Sequence, residues 1–202
     1  MIIHQLFPEP LYFSKLDRTL TKKELKTINE YKKNTHKNAG NTTSNDTYVL
    51  EKKELKNLKE ELNKKIIDYF DKVICTDNIA PYITQSWINY TKSDQFHHKH
   101  NHPNSLISGV FYISADKEVD SITFHKGFLE DRIKLNTTKY NMFNSISCKF
   151  LVETGNILLF PSSLVHGVEK KKGNNIRSSL SFNVFFKGTV GNKNDLTELI
   201  LE

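Results

Sequence analysis

With 202 residues, 37% of them hydrophobic and 26% charged, the chain is long enough to bury one full core and too apolar to be a disordered segment. The net charge of +6 raises the question of nucleic acid, but the lysines are interleaved with glutamates, as in Glu51-Lys52-Lys53-Glu54, and only three arginines are present, so no Arg-rich, aromatic-studded surface is expected. No run approaches the roughly 18 apolar residues of a membrane span, and the opening Met1-Ile2-Ile3-His4 has no basic segment leading to a cleavage site, so a cytoplasmic protein is expected.

In chain order, Thr21 to Glu24 has the form of a capping box, and Leu25, Ile28 and Tyr31 follow at helical spacing. A polar stretch from Asn34 to Asp46 reads as a loop. From Glu51 to Ile74, Leu55, Leu58, Leu62, Ile66, Tyr69, Phe70 and Val73 recur every three or four residues, which predicts one long amphipathic helix buttressing a sheet. From residue 82 onward, short runs rich in Ile, Val, Phe and Tyr alternate with turn residues and predict strands at 83–90, 106–113, 121–125, 147–152, 156–160, 164–168 and 177–187. The expected architecture is a single domain over 1–202, mainly β with N-terminal helices: a helical support layer over 1–80 and a sandwich or jelly roll over 81–190. Residues 126–145 show no clear period and read as a loop covering the mouth of a site. Cys75 and Cys148 lack any CxxC spacing and read as buried structural thiols, and the Asn-X-Thr triplets at Asn41, Asn89 and Asn136 as coincidence.

Half of the eight histidines fall in six residues, at 97, 98, 100 and 102. On an extended strand His98, His100 and His102 share a face. With His166 supplied by a distant strand, His100 and His102 can occupy one side of a metal ion and leave the other side open. His97 and His98 then read as neighbours of the ligands or as solvent-facing, and His4, His36 and His125 stand alone. In the last long strand, Leu180, Phe182, Val184 and Phe186 share one face while Arg177, Ser179, Ser181 and Asn183 share the other. An arginine among small serines suggests a polar pocket with room for a carboxylate ligand.

The segment from Ser86 to Phe186 resembles the Fe(II)/2-oxoglutarate-dependent oxygenases, in particular small bacterial and phage proteins with a His-x-His-Pro segment. The residues that carry the resemblance are Ser86-Trp87-Ile88-Asn89, His100-Asn101-His102-Pro103, Ser108-Gly109-Val110-Phe111-Tyr112, Gly155 with Phe160-Pro161-Ser162, His166, and Arg177-Ser178-Ser179. The resemblance implies a double-stranded β-helix (jelly roll, cupin-like) buttressed by helices. It also implies iron held by His100, His102 and His166, and 2-oxoglutarate clamped by Arg177 with Ser179 and touched by Tyr112. The implied reaction uses O2, converts 2-oxoglutarate to succinate and hydroxylates a small-molecule or peptide substrate, peptidyl proline among the options, in the host cytoplasm if the chain is phage-encoded. His102 stands where the wider superfamily has Asp or Glu; neither a water nor a folded-over Asp94 has support in the pattern as a replacement anion. Two other readings share the barrel: a cupin-type three-His metalloprotein that does not use 2-oxoglutarate, and a non-catalytic metal-binding module.

Overall fold

A computed structural model describes residues 1–126 and 136–202. The capping box forms as expected: the Thr21 hydroxyl accepts from the Glu24 N–H at 3.2 Å, the Glu24 carboxylate accepts from the Thr21 N–H at 2.8 Å, and α1 runs Lys22–Glu30. The long helix is α-helical only over its middle, α2, Lys56–Tyr69; two 3-10 turns, Val49–Glu51 and Lys53–Leu55, lead into it and a π-helical turn, Phe70–Ile74, closes it. Leu55 at the N-cap supplies no side-chain cap, and tight 3-10 turns are a common way to begin a helix under those conditions. Its apolar stripe of Leu58, Leu62, Ile66 and Tyr69 is buried as the spacing requires.

Among the described residues, twelve strands make two antiparallel sheets. The larger contains β1 (Tyr12–Lys15), β2 (Thr35–Lys37), β3 (Thr42–Ser44), β4 (Ile79–Thr91), β6 (Ile107–Ser114), β9 (Asn156–Pro161), β11 (Arg177–Val190) and β12 (Leu199–Leu201). Its order is β1-β9-β6-β11-β4-β3-β2, with β12 also on β11. The smaller contains β5 (His97–His100), β7 (Ser121–His125), β8 (Ser147–Leu151) and β10 (Val165–Val168), in the order β5-β10-β7-β8. One apolar cluster joins α1 and α2 to the outer face of the larger sheet through Ile88, Phe111, Ile157, Leu180, Phe182 and Val184. A second, smaller cluster lies between the sheets and unites Val110 and Tyr112 with Ile122, Phe124, Leu158 and Phe160. This two-sheet jelly roll with a helical layer outside it is the double-stranded β-helix.

Several expectations need correction. The polar stretch from Asn34 to Asp46 is not a loop throughout, because it folds into the β2–β3 hairpin, which extends the larger sheet by pairing Thr42 with Tyr90 and Thr43 with Asn89. β1 and β12 were also not foreseen; each is a short strand whose neighbour supplies the ladder. Neither cysteine is buried: Cys75 ends the π-turn in a left-handed conformation, φ 56°, and Cys148 lies on β8, which closes the smaller sheet and is exposed over most of its length. Of the expected covering loop at 126–145, residues 127–135 lie outside the described residues. Asn41 and Asn89 are both buried, in keeping with triplets that arise by chance.

Candidate active site

β5 and β10 are neighbours in the smaller sheet, and their register sets His166 directly opposite His100. Their ring centroids are 4.4 Å apart. His102 arrives differently from the expected strand alternation. β5 ends at His100, and His102 sits two residues past it in a loop pinned by its own N–H donating to the Ser162 carbonyl at 2.9 Å. The turn that delivers His166 thus also positions His102. Its ring lies 4.9 Å from that of His100 and 5.2 Å from that of His166, and one ligand nitrogen from each of the three falls within 4.8 Å of the others.

The protonation of these rings is set by the backbone. His100 Nδ1 donates to the His98 carbonyl at 2.8 Å and His166 Nδ1 to the Leu164 carbonyl at 3.0 Å, which places each proton on Nδ1 and leaves the Nε2 lone pair for a metal. Burial, reinforced by the other imidazoles, pushes His166 down to about 3 and His102 down to about 4, and burial lowers His100 as well. All three are therefore neutral at pH 7, the form in which imidazole binds metal. Among the described residues no Asp or Glu joins this cluster. Asp94 is exposed and ion-paired with Lys170 at 3.1 Å, so it supplies no missing carboxylate.

β11 brings the second half of the site. Arg177, 3% exposed, lies at the start of that strand opposite Thr91, with Ser179 opposite both Asn89 and Tyr112. Its Nη1 donates to the Ser121 carbonyl at 3.1 Å and its Nη2 to Thr91 Oγ1 at 3.3 Å, while Nε has no hydrogen-bond partner among the described residues. Burial lowers its pKa, and among the described residues no carboxylate hydrogen-bonds it. Tyr112 is fully buried beside it, with burial pushing its phenol up to about 12. The three histidines, Arg177, Ser179 and Tyr112 line one cavity of about 40 Å³, together with Trp87, Asn89, His97 and Ser181. That void exceeds what a single water needs. Gly109 belongs to the same wall; a Cβ there would collide with the Phe182 ring, so the close approach of β6 and β11 requires glycine.

His97 lines the cavity, in keeping with an expected place beside the histidine cluster. Not foreseen is the buried ion pair that anchors the segment before Arg177, Lys171 with Asp120 at 3.3 Å, each side chain 1% exposed. Asn175 completes that anchor, accepting from Lys171 Nζ at 2.7 Å and donating to Asp120 at 2.8 Å. Asp120 immediately precedes Ser121, whose carbonyl holds Arg177, so the ion pair and Asn175 tie the segment leading into β11 to the start of β7 beside the guanidinium. Nothing in the run Lys170-Lys171-Lys172 distinguishes the buried lysine from its exposed neighbours.

Comparison with known proteins agrees with this architecture. Residues 85–183 match the family model described as "Putative 2OG-Fe(II) oxygenase". No curated protein matches the chain in sequence. Among solved structures, an oxidoreductase of the 2OG-Fe(II) oxygenase family from Burkholderia pseudomallei is 13% identical with a TM-score of 0.56, over 85% of this chain and 83% of that one. HygX from Streptomyces hygroscopicus, crystallised with nickel, 2-oxoglutarate and hygromycin B, is 13% identical with a TM-score of 0.57, over 85% of this chain and 82% of its own. A prolyl hydroxylase from Trichoplax adhaerens, in complex with a hypoxia inducible factor peptide, is 13% identical with a TM-score of 0.56, over 86% and 83%. These likenesses establish a shared fold, and residues 85–183, the segment that matches the 2OG-Fe(II) oxygenase family model, contain all three clustered histidines, Tyr112, Arg177 and Ser179.

Proposed function

We propose that the protein is an Fe(II)- and 2-oxoglutarate-dependent dioxygenase that hydroxylates an organic substrate. His100, His102 and His166 would hold the iron through Nε2, and Arg177 with Ser179 would bind the distal carboxylate of 2-oxoglutarate, with Tyr112 alongside. The observation that carries this reading is the pairing, in one cavity, of three neutral imidazoles with a buried guanidinium whose Nε–H lacks a partner among the described residues. A desolvated cation beside a metal site calls for an anion.

Fe(II), when bound, supplies the redox chemistry that couples decarboxylation of 2-oxoglutarate to oxidation of the substrate by O2. The protein's own contribution is positioning and charge. Ser121 and Thr91 fix the plane of the Arg177 guanidinium by taking two of its five N–H donors, and those left over, Nε–H among them, would serve a carboxylate. Three neutral ligands leave the full dipositive charge of a metal uncompensated, so with Arg177 the cavity favours a dianionic cosubstrate more strongly than a site with one carboxylate ligand. Trp87, whose ring lies 5.6 Å from that of His102, forms an aromatic wall beside the cluster, suited to packing against a substrate.

The decisive experiment is anaerobic titration of Fe(II)-loaded protein with 2-oxoglutarate. The expected result is the visible charge-transfer band of a keto acid chelated to iron. Iron binding without that band would favour the three-His reading in which 2-oxoglutarate is not used, or a non-catalytic module; the absence of a carboxylate from the histidine cluster is the observation on that side. For the substrate we put peptidyl proline first, because a prolyl hydroxylase shares the fold, and a small polar molecule second, because HygX shares it too. Succinate release should rise with a proline-containing peptide; stimulation only by small molecules would discard the peptide.

A further inference from the structure

The smaller sheet carries more imidazole than the inner cluster uses. Between the pairs His166↔His100 and Val168↔His97, β10 advances two residues while β5 advances three, so β5 is bulged there. A bulge re-aims side chains that would otherwise alternate. As a result the rings of His97 and His98, adjacent in sequence, have centroids 5.2 Å apart, and they lie 4.5 and 4.8 Å from that of His100. Gly167 permits this crowding: a Cβ there would stand 3.0 Å from the His97 carbonyl and 3.2 Å from that of His98. One donor atom from each of His97, His98 and His100 falls within 4.8 Å of the others, a second group that overlaps the first only at His100.

We propose that His97, His98 and His100 form an outer site for a divalent transition-metal ion, which captures the ion at the surface and passes it to the inner cluster. An all-imidazole donor set suits Zn(II), Co(II), Ni(II) and Fe(II). Bonds of about 2.1 Å in a tetrahedral site put donor atoms about 3.4 Å apart, so binding requires the outer group to contract. His98 is exposed and free to rotate inward. Asn38 Nδ2–H donates to His97 Nε2 at 3.4 Å, a long contact that an ion taking that nitrogen would displace.

The shared residue makes the two sites alternatives. His100 Nδ1–H is committed to the His98 carbonyl, leaving one lone pair, on Nε2, for both groups. An ion held outside by His100 is released there when the same nitrogen binds it inside. Burial follows the same path: His98 is exposed, His97, His100 and His102 are half-buried, and His166 is 7% exposed.

The transfer step rests on the inner cluster being a metal site; the outer site does not, and the test separates them. Tag-free full-length protein would be titrated with Co(II) and followed by its visible absorption. The double variant His102→Ala/His166→Ala, shown to be folded by circular dichroism, should still take up one Co(II), and adding His98→Ala should weaken that binding by at least about tenfold. Uptake by the double variant that is absent, or indifferent to His98→Ala, overturns the outer site while leaving the inner reading to wild-type uptake. Conversely, wild-type affinity unchanged by His102→Ala/His166→Ala would sink the inner site and keep the outer one. In stopped flow, His98→Ala, which retains the backbone carbonyl that orients His100, should load Co(II) several-fold more slowly; an unchanged rate overturns the transfer.

Discussion

On one face of β11, Leu180, Phe182 and Val184 are fully buried in the cluster that the helices close, while on the other Arg177, Ser179 and Ser181 line the cavity shared with the histidines. The backbone ladder is common to both, paired with β4 on one side and β6 on the other. What differs is what each face buries. The helix-covered face removes hydrocarbon from water and holds the fold together. The cavity face buries groups that cost free energy to desolvate, a guanidinium with an unmatched N–H and neutral imidazoles packed side by side, and so is built for ligands at the expense of stability.

That contrast can be broken by substitution. His166→Ala should have the largest effect: losing one of three ligands costs on the order of 3–4 kcal/mol of metal affinity, roughly 100- to 1,000-fold, with the melting temperature of the metal-free protein little changed. Metal titration beside thermal unfolding checks both halves. Leu62→Ala, on α2, should do the reverse, destabilising by about 3 kcal/mol through lost burial and a residual cavity while metal affinity in the folded protein stays at the wild-type value. Equal losses in both assays would mean that the two faces are not separable.

Arg177→Met should weaken 2-oxoglutarate binding by about 2 kcal/mol, about 30-fold, with metal binding retained. The variant should unfold at the wild-type temperature or above it, because an apolar side chain of similar size replaces a buried charge that no carboxylate among the described residues hydrogen-bonds. Unchanged cosubstrate affinity would remove Arg177 from the clamp.

The smallest effect is the pH dependence of the metal-free protein. Burial holds His166 at about 3 and His102 at about 4, below the ordinary imidazole value of 6.5. The folded state therefore resists protonation more than the unfolded chain does, so the contribution of these residues is intact above pH 6.5 and declines as pH falls from there toward 4. Thermal unfolding from pH 7 to 4 should show that decline, and His102→Gln should flatten it. A melting temperature that rises on acidification would contradict the burial of these rings.

Much of this division was visible before any tertiary structure. The alternation along Arg177 to Val184 separates the two faces directly, since a strand has a period of two, and the stripe from Leu55 to Tyr69 identifies the covering helix by its period near 3.6. The grouping of His100, His102 and His166 and the place of Arg177 and Ser179 in the same cavity were legible chiefly through resemblance, because their association is non-local. The β2–β3 hairpin was hidden, since polar edge residues such as Thr42, Thr43 and Ser44 owe their strand to hydrogen bonds offered by β4 rather than to an apolar pattern of their own. The Lys171–Asp120 pair was hidden for a related reason: burial of a lysine is decided by the strands that close over it.

The sequence by itself determined the donor types, the presence of one apolar and one polar face on β11, and the order in which helical layer and strands follow one another, because these depend on residue chemistry and on the fixed periods of helix and strand. Only the tertiary structure decided that His102 reaches the cluster from a loop, that a bulge in β5 gathers His97 and His98 beside His100, and that Arg177 is buried with no carboxylate among the described residues hydrogen-bonded to it. Each of these is a consequence of pairing register and of closure between two sheets, and both are set by contacts between residues far apart in the chain, which local pattern does not encode.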